Sequence, residues 1–264
     1  MKRKTVLITG ATSGIGGEFA EIFAEMGYDL VIASRSVNKM EQLQEELRKK
    51  YSVSVQYLIT DLSLKSGASN LYQAIKQREL DIDVLINNSG IGFYGDVAEI
   101  NEDKILDMLQ LNILSLTELT MKFAKDMKEK GSGYILNVAS TAAYQPLPYM
   151  ASYGGSKSYV LNFSEAIAKE LEEYGVVVSC LSPGPTKTDF FKVAHVDNGV
   201  KIFNFRMNAR TVAQIGVDAL FSKKISVIAG VFNFLLVTIE RFLPRCIVAC
   251  ITKKMLKRRI EKSK

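Results

Sequence analysis

The sequence predicts a doubly wound parallel α/β sheet with a helical C-terminal extension. Three observations predict it. Short β-branched runs alternate with longer amphipathic stretches, the pattern of strand–helix–strand units around a parallel sheet. A glycine-rich turn, Thr9-Gly10-Ala11-Thr12-Ser13-Gly14-Ile15-Gly16, joins the first strand to the first helical stretch. From Val231 onward the alternation stops and the chain reads as helix. Residues 1–230 therefore read as one domain and residues 231–264 as a basic amphipathic appendage.

Each element has its own signal. Thr5–Thr9 is apolar and β-branched and reads as the first strand. In the turn after it, three glycines let the backbone approach a pyrophosphate, which the N-terminus of the next helix can bind. Asp29–Ala33, Val53–Ile59, Val84–Asn87, Tyr134–Ala139, Val176–Leu181 and Ile225–Ala229 read as further strands. Met40–Lys50, with Leu43 and Leu47 four apart, and the long Lys104–Lys130 read as helices. Pro183 to Asn208 departs from the pattern, with Phe190, Phe191, Phe203 and Phe205 among polar residues. These rings either form a lid over an apolar substrate or pack the loop down. His195 between them reads as a loop residue rather than a catalytic one.

In the extension, Phe232, Leu235, Leu236, Ile239 and Leu243 form an apolar stripe, and Pro244 breaks the helix. Ile247, Val248, Ile251, Met255 and Leu256 then recur beside lysines and arginines. Two readings stand. The pair packs on the core or on a second subunit, or it lies on an anionic membrane surface as a basic amphipathic helix.

Composition narrows the function. The single histidine argues against a histidine-built metal site and against a Ser-His-Asp hydrolase, for which no G-x-S-x-G elbow is present either. No metal is expected. Cys180, Cys246 and Cys250 lie in apolar sequence and read as buried thiols of a reducing compartment, so a cytoplasmic location is expected. From Lys253 to Lys264 there are seven basic residues and one acid, Glu261, which accounts for the whole formal charge of +6. The rest is formally neutral, which argues against a nucleic-acid-binding core. After Met1-Lys2-Arg3-Lys4 the apolar run Val6-Leu7-Ile8 is too short for a signal segment. The longest membrane-span candidate, Ile225 to Ile239, is broken by Ser226 and Asn233.

The chemistry is carried by Ser140 and by Tyr153-Gly154-Gly155-Ser156-Lys157. Four residues apart on a helix, Tyr153 and Lys157 share a face. A free tyrosine titrates near ~10, too high for proton exchange at neutral pH. A fixed cation beside it is expected to lower that value, which makes the pair an acid/base device for a carbonyl–alcohol reaction. The hydroxyl of Ser140, after an apolar run, could hold the carbonyl oxygen.

These motifs together resemble the short-chain dehydrogenase/reductase family. The T-G-x-x-x-G-x-G turn resembles its cofactor fingerprint, placing Gly10, Thr12, Ser13, Gly14, Ile15 and Gly16 at the pyrophosphate. Asn88-Ser89-Gly90 resembles the end of its N-N-A-G motif, with serine for alanine. Asn112, Ser140, Tyr153 and Lys157 match its catalytic tetrad, and Pro183-Gly184, Thr186 and Thr188 match the turn after its sixth strand. The resemblance implies a Rossmann fold and a homo-oligomer. It implies that Tyr153 exchanges the proton, that Lys157 tunes Tyr153 and binds the nicotinamide ribose, that Ser140 orients the substrate, and that Asn112 holds a relay water. It also implies that Asp61-Leu62 contact adenine. The family's usual C-terminus is shorter than this one.

The second strand ends Ser34-Arg35, with no acid before Glu41 to hold ribose hydroxyls. A guanidinium suits a 2′-phosphate, so NADP(H) is favoured over NAD(H), unless Arg35 only stacks on adenine. The expected function is an NADP(H)-dependent oxidoreductase for a small hydrophobic ketone or secondary alcohol, such as a steroid, a fatty-acyl derivative or a non-polar ketone. The alternatives are an NADP(H)-binding sensor or scaffold without turnover, and a peripheral membrane protein acting through its tail.

Overall fold

The computed structural model describes residues 3–190 and 206–257. Phe191, His195, Phe203 and Phe205 and the last basic residues, from Arg258 on, lie outside the described residues. The strands are β1 (Thr5–Thr9), β2 (Asp29–Ser34), β3 (Val55–Ile59), β4 (Val84–Asn87), β5 (Gly133–Val138), β6 (Val176–Ser182) and β7 (Ser226–Ile228). They form one parallel sheet in the order β3-β2-β1-β4-β5-β6-β7. This is the Rossmann-type α/β arrangement that the sequence predicts.

Both faces of the sheet are covered, and the strands alternate between them. Val6 and Ile8 of β1 enter one core and Leu7 enters the other. The first core is closed by α1 (Gly14–Glu25), α2 (Val37–Tyr51) and α7 (Ala209–Phe221) through Phe19, Phe23, Leu47, Val212 and Leu220. The second is closed by α3 (Gly67–Gln77), α5 (Leu116–Lys130) and α6 (Ala151–Leu171) through Leu71, Ile75, Phe123, Met127 and Ala168. The strand order reverses between β1 and β4, and a crevice opens at their C-terminal ends.

Beyond element bounds that shift by up to three residues, sequence and structure differ in three places. The expected helix Lys104–Lys130 is α4 (Glu102–Leu109) and α5 joined by a π-helical turn, Gln110–Ser115. Asn112 sits fully buried in that turn. A polar side chain there must find partners, and a π-turn inside a helix re-aims side chains at such a site. The extension forms α8 (Val231–Glu240) and α9 (Arg245–Lys257) on either side of Pro244. It does not merge with the core: α8 buries Val237 alone, and α9 buries Val248 and Thr252. The third difference follows. Cys180 is buried as expected, but Cys246 and Cys250 are exposed, because they lie off the narrow side by which α9 packs. Among the described residues no helix is long and apolar enough to cross a membrane.

Candidate active site

The glycine-rich turn is built to let something approach. Gly10 and Gly14 are left-handed, with φ of 67° and 56°. A Cβ on Gly16 would lie 2.1 Å from the carbonyl oxygen of Gly10, so only glycine lets helix α1 start so close to β1. The turn is strapped to β4. Thr9 Oγ1 accepts from the backbone N–H groups of Asn88 and Ser89, both at 3.1 Å. Asn88 Nδ2 returns bonds to the carbonyls of Thr9 (3.1 Å) and Gly10 (3.2 Å). Ser13 stands at the N-cap of α1 without a side-chain cap bond, which leaves the first-turn N–H groups to an anion.

One cleft of about 920 Å³ connects this turn with the rest of the site. At its adenine end lie Ser34, Arg35, Asp61 and Leu62. Ser34 Oγ and Thr12 Oγ1 share a hydrogen bond of 3.1 Å. Arg35 Nη1 is 3.8 Å from Asp61 Oδ2. Burial works to raise the Asp61 carboxyl, but hydrogen bonds from Ser63 and the charge of Arg35 hold it below its usual value. Leu62 is both a core leucine and a cleft wall, and its carbonyl accepts from Ser115 Oγ at 2.6 Å.

At the other end, β5 delivers Ser140 and α6 delivers Tyr153 and Lys157. Ser140 Oγ accepts from Ala142 N (3.2 Å) and donates to Pro183 O (3.4 Å), which fixes the hydroxyl at the cleft floor. Tyr153 and Lys157 are both buried. Burial pushes the Tyr153 phenol up to about 12, opposed by its hydrogen bond with Ser140. Burial pushes the Lys157 ammonium down to about 8. The expected lowering of Tyr153 by Lys157 is therefore absent. Burial sets the direction with only Ser140 opposing it, and Lys157 Nζ spends one hydrogen on Val138 O at 2.8 Å.

Asn112 has a holding role besides the expected one. Its Oδ1 accepts from Ile91 N (3.0 Å), and its Nδ2 donates to Ile91 O (2.9 Å) and Ser156 Oγ (3.1 Å). The side chain clamps the loop segment after Gly90 with both Nδ2 hydrogens and one lone pair of Oδ1, which leaves the second lone pair for a water. A Cβ on Gly90 would come 3.2 Å from Lys157 Nζ and 3.3 Å from Asn112 Oδ1, so glycine there brings the two together. Pro183, Gly184, Thr186 and Thr188 line the same cleft. Thr186 Oγ1 donates to Gly184 O at 2.9 Å, and Thr188 packs where a Cβ on Gly14 would sit. All predicted site residues but two, Asn112 and Gly16, line the cleft itself. Those two hold its walls from behind.

Sequence reasoning missed three contributors. Thr9 and Ser156 stand inside quoted motifs, but their roles depend on partners from other elements. The third is the tail: Leu236, Val237, Glu240, Val248, Ile251 and Thr252 form the outer wall of the cleft. Two bonds tie α9 across it, Tyr94 Oη to Leu256 O (2.6 Å) and Thr252 Oγ1 to Pro146 O (3.0 Å).

Comparison with known proteins agrees with this geometry. The sequence profile described as "short chain dehydrogenase" matches residues 4–198. A very-long-chain 3-oxoacyl-CoA reductase of Pyrenophora tritici-repentis is 33% identical over 71% of this chain and 56% of that protein. The chain thus spans little more than half the length of several curated relatives. An NADP-dependent 3-hydroxy acid dehydrogenase of Schizosaccharomyces pombe is 32% identical over 88% of this chain and 92% of its own length. The structure of a short-chain dehydrogenase from Sphingobium yanoikuyae in complex with NADPH superposes with a TM-score of 0.81 and 27% identity, covering 91% of this chain and 96% of that one. With that match and with the cleft just described, the chain belongs to the short-chain dehydrogenase/reductase family of NAD(P)-binding oxidoreductases.

Proposed function

We propose that this protein reduces an apolar ketone to a secondary alcohol with NADPH. The observation that carries the reading is the continuity of the cleft, with Arg35 at one end and Ser140, Tyr153 and Lys157 at the other. The glycine turn fits a pyrophosphate because left-handed Gly10 and Gly14 line the cleft beside the open N-terminus of α1. Arg35 is the group for a 2′-phosphate. Its pair with Asp61 is exposed and at 3.8 Å weak, so the guanidinium can turn to a phosphate. The S. pombe relative, described as NADP-dependent, and the NADPH complex of the Sphingobium protein support the same choice.

When bound, the nicotinamide supplies the hydride. The chain's own residues manage the oxygen and the proton. Ser140 turns its one hydroxyl hydrogen from Pro183 O, where the bond is long at 3.4 Å, to the carbonyl oxygen and fixes its position. Tyr153, with its phenol at about 12, rests fully protonated at neutral pH and gives its proton to that oxygen as negative charge develops. Lys157, at about 8, is mostly charged at neutral pH and stabilises the phenolate left behind. Asn112 acts as a positioning residue through Ile91.

The substrate end of the cleft is lined by Ile91, Leu147, Met150, Phe190 and Leu236. Such a wall selects an apolar body. The names of the relatives, acting on 3-oxoacyl and 3-hydroxy acid compounds, point to a fatty-acyl ketone. Incubation of the full chain with NADPH and a panel of apolar ketones is expected to yield alcohol in step with NADPH consumed. Tight NADPH binding with no alcohol from any ketone counts against the reading.

A further inference from the structure

Helix α8 is amphipathic in reverse. The side it turns to the domain carries Asn233, Val237 and Glu240. Asn233 Nδ2 donates to Ala229 O at 2.6 Å, and its amide stands where a Cβ on Gly184 would be. Glu240 Oε2 is buried without a hydrogen-bond partner among the described residues, and burial raises its carboxyl. The side turned away carries Val231, 78% exposed, with Phe234, Leu235 and Ile239, and beyond its end Phe242, 83% exposed. A helix resting on a core in water puts its apolar residues inward. Of the nineteen large hydrophobic side chains exposed among the described residues, eleven fall between Val231 and Met255. Exposed apolar surface is therefore concentrated in one patch.

The patch is cationic as well as apolar. Arg241, Arg245, Lys253, Lys254 and Lys257 are exposed on it. The sequence from 231 to 264 holds nine basic residues against two acids, and one of those, Glu240, is turned inward. The patch is also the mouth of the cleft: Leu236, Ile239, Leu243, Ile251 and Met255 both line the cavity and are exposed.

We propose that the α8–α9 face docks on an anionic lipid bilayer, setting the mouth of the cleft against lipid. A bilayer with anionic headgroups covers an apolar face and satisfies the cations beside it. A second copy of the chain suits the face less well, because it brings the same excess of cations to the interface, whereas anionic headgroups neutralise that excess. Docking stands on the surface alone. Its consequence, that an apolar ketone reaches Tyr153 from the lipid, rests on the reductase reading above.

The test is sedimentation of the full chain with vesicles of phosphatidylcholine and phosphatidylserine, and with phosphatidylcholine alone. The chain is expected to pellet with the anionic vesicles and to be released by high salt. The double variant Phe234→Asp/Phe242→Asp, at positions outside the cleft, is expected to lose binding by about tenfold or more while keeping its NADPH affinity. A lipid-soluble ketone should be turned over faster on anionic vesicles by the natural chain and not by the variant. The proposal is overturned if the chain stays in solution with both vesicles, if it pellets equally without anionic lipid, or if the double variant pellets like the natural chain. It is also overturned if sedimentation velocity without lipid shows a dimer that the variant abolishes, which gives the face to a second copy. Sedimentation and NADPH affinity do not need turnover, so failure of docking and failure of the reductase reading are separable.

Discussion

Tyr153 and Lys157 show how far residue types predict chemistry and where burial takes over. Their spacing gave the pair, the helix and the shared face. It could not give their ionisation, which depends on how much protein covers them. Desolvation raises the phenol to about 12 and lowers the ammonium to about 8. The pH profile follows from these two values. Lys157 keeps its charge below about pH 8 and loses it above, while Tyr153 holds its proton across the whole range up to about 12. Ketone reduction should therefore hold a plateau below about pH 8 and decline above it through loss of one proton. Lys157→Arg, slower throughout, should lack that decline because its charge persists. An identical decline in the arginine variant would place the titrating group elsewhere. The role proposed for Arg35 rests on a different signal, the absence of any acid before Glu41. Arg35→Ala should weaken NADPH by about 10–100-fold, the worth of a charged hydrogen bond, and leave NADH nearly unchanged. Equal effects on both cofactors would reduce Arg35 to an adenine shelf.

At the scale of elements, the buried strands were plain because parallel sheets demand continuous apolar runs. β1 and β4 match their expected bounds, Thr5–Thr9 and Val84–Asn87. What stayed hidden was anything fixed by a partner distant in sequence. The π-turn at Gln110–Ser115 exists where Asn112 reaches back to Ile91, and helical periodicity is silent about that. Thr9 is the same kind of residue. It reads as the last residue of a strand, yet its hydroxyl receives two N–H groups from the end of β4. Thr9→Val keeps the shape and orphans both donors. It should cost about 1–3 kcal/mol in urea unfolding and weaken NADPH, since the glycine turn loses its strap. Unchanged stability and affinity in this variant would mean that water replaces the hydroxyl without loss.

For the whole molecule, the sequence reads as an alternating stretch followed by a helical one and leaves the position of the helical stretch open between two readings. A stripe of apolar residues looks the same whether it faces a core, a subunit or lipid. The structure places α8 and α9 across the cleft and turns most of their apolar surface outward, so the appendage is a wall of the active site rather than an addition to the core. The buried-thiol expectation failed for Cys246 and Cys250 for the same reason. The central claim is that this cleft performs NADPH-dependent carbonyl reduction with Tyr153 as the proton donor. The measurement that tests it most directly compares the natural chain with Tyr153→Phe, following NADPH affinity by titration and alcohol formation from the best ketone of the panel. Affinity should stay unchanged within about twofold and turnover should fall by about 10²–10⁴, the usual worth of a general acid. Turnover undiminished in the phenylalanine variant would contradict it.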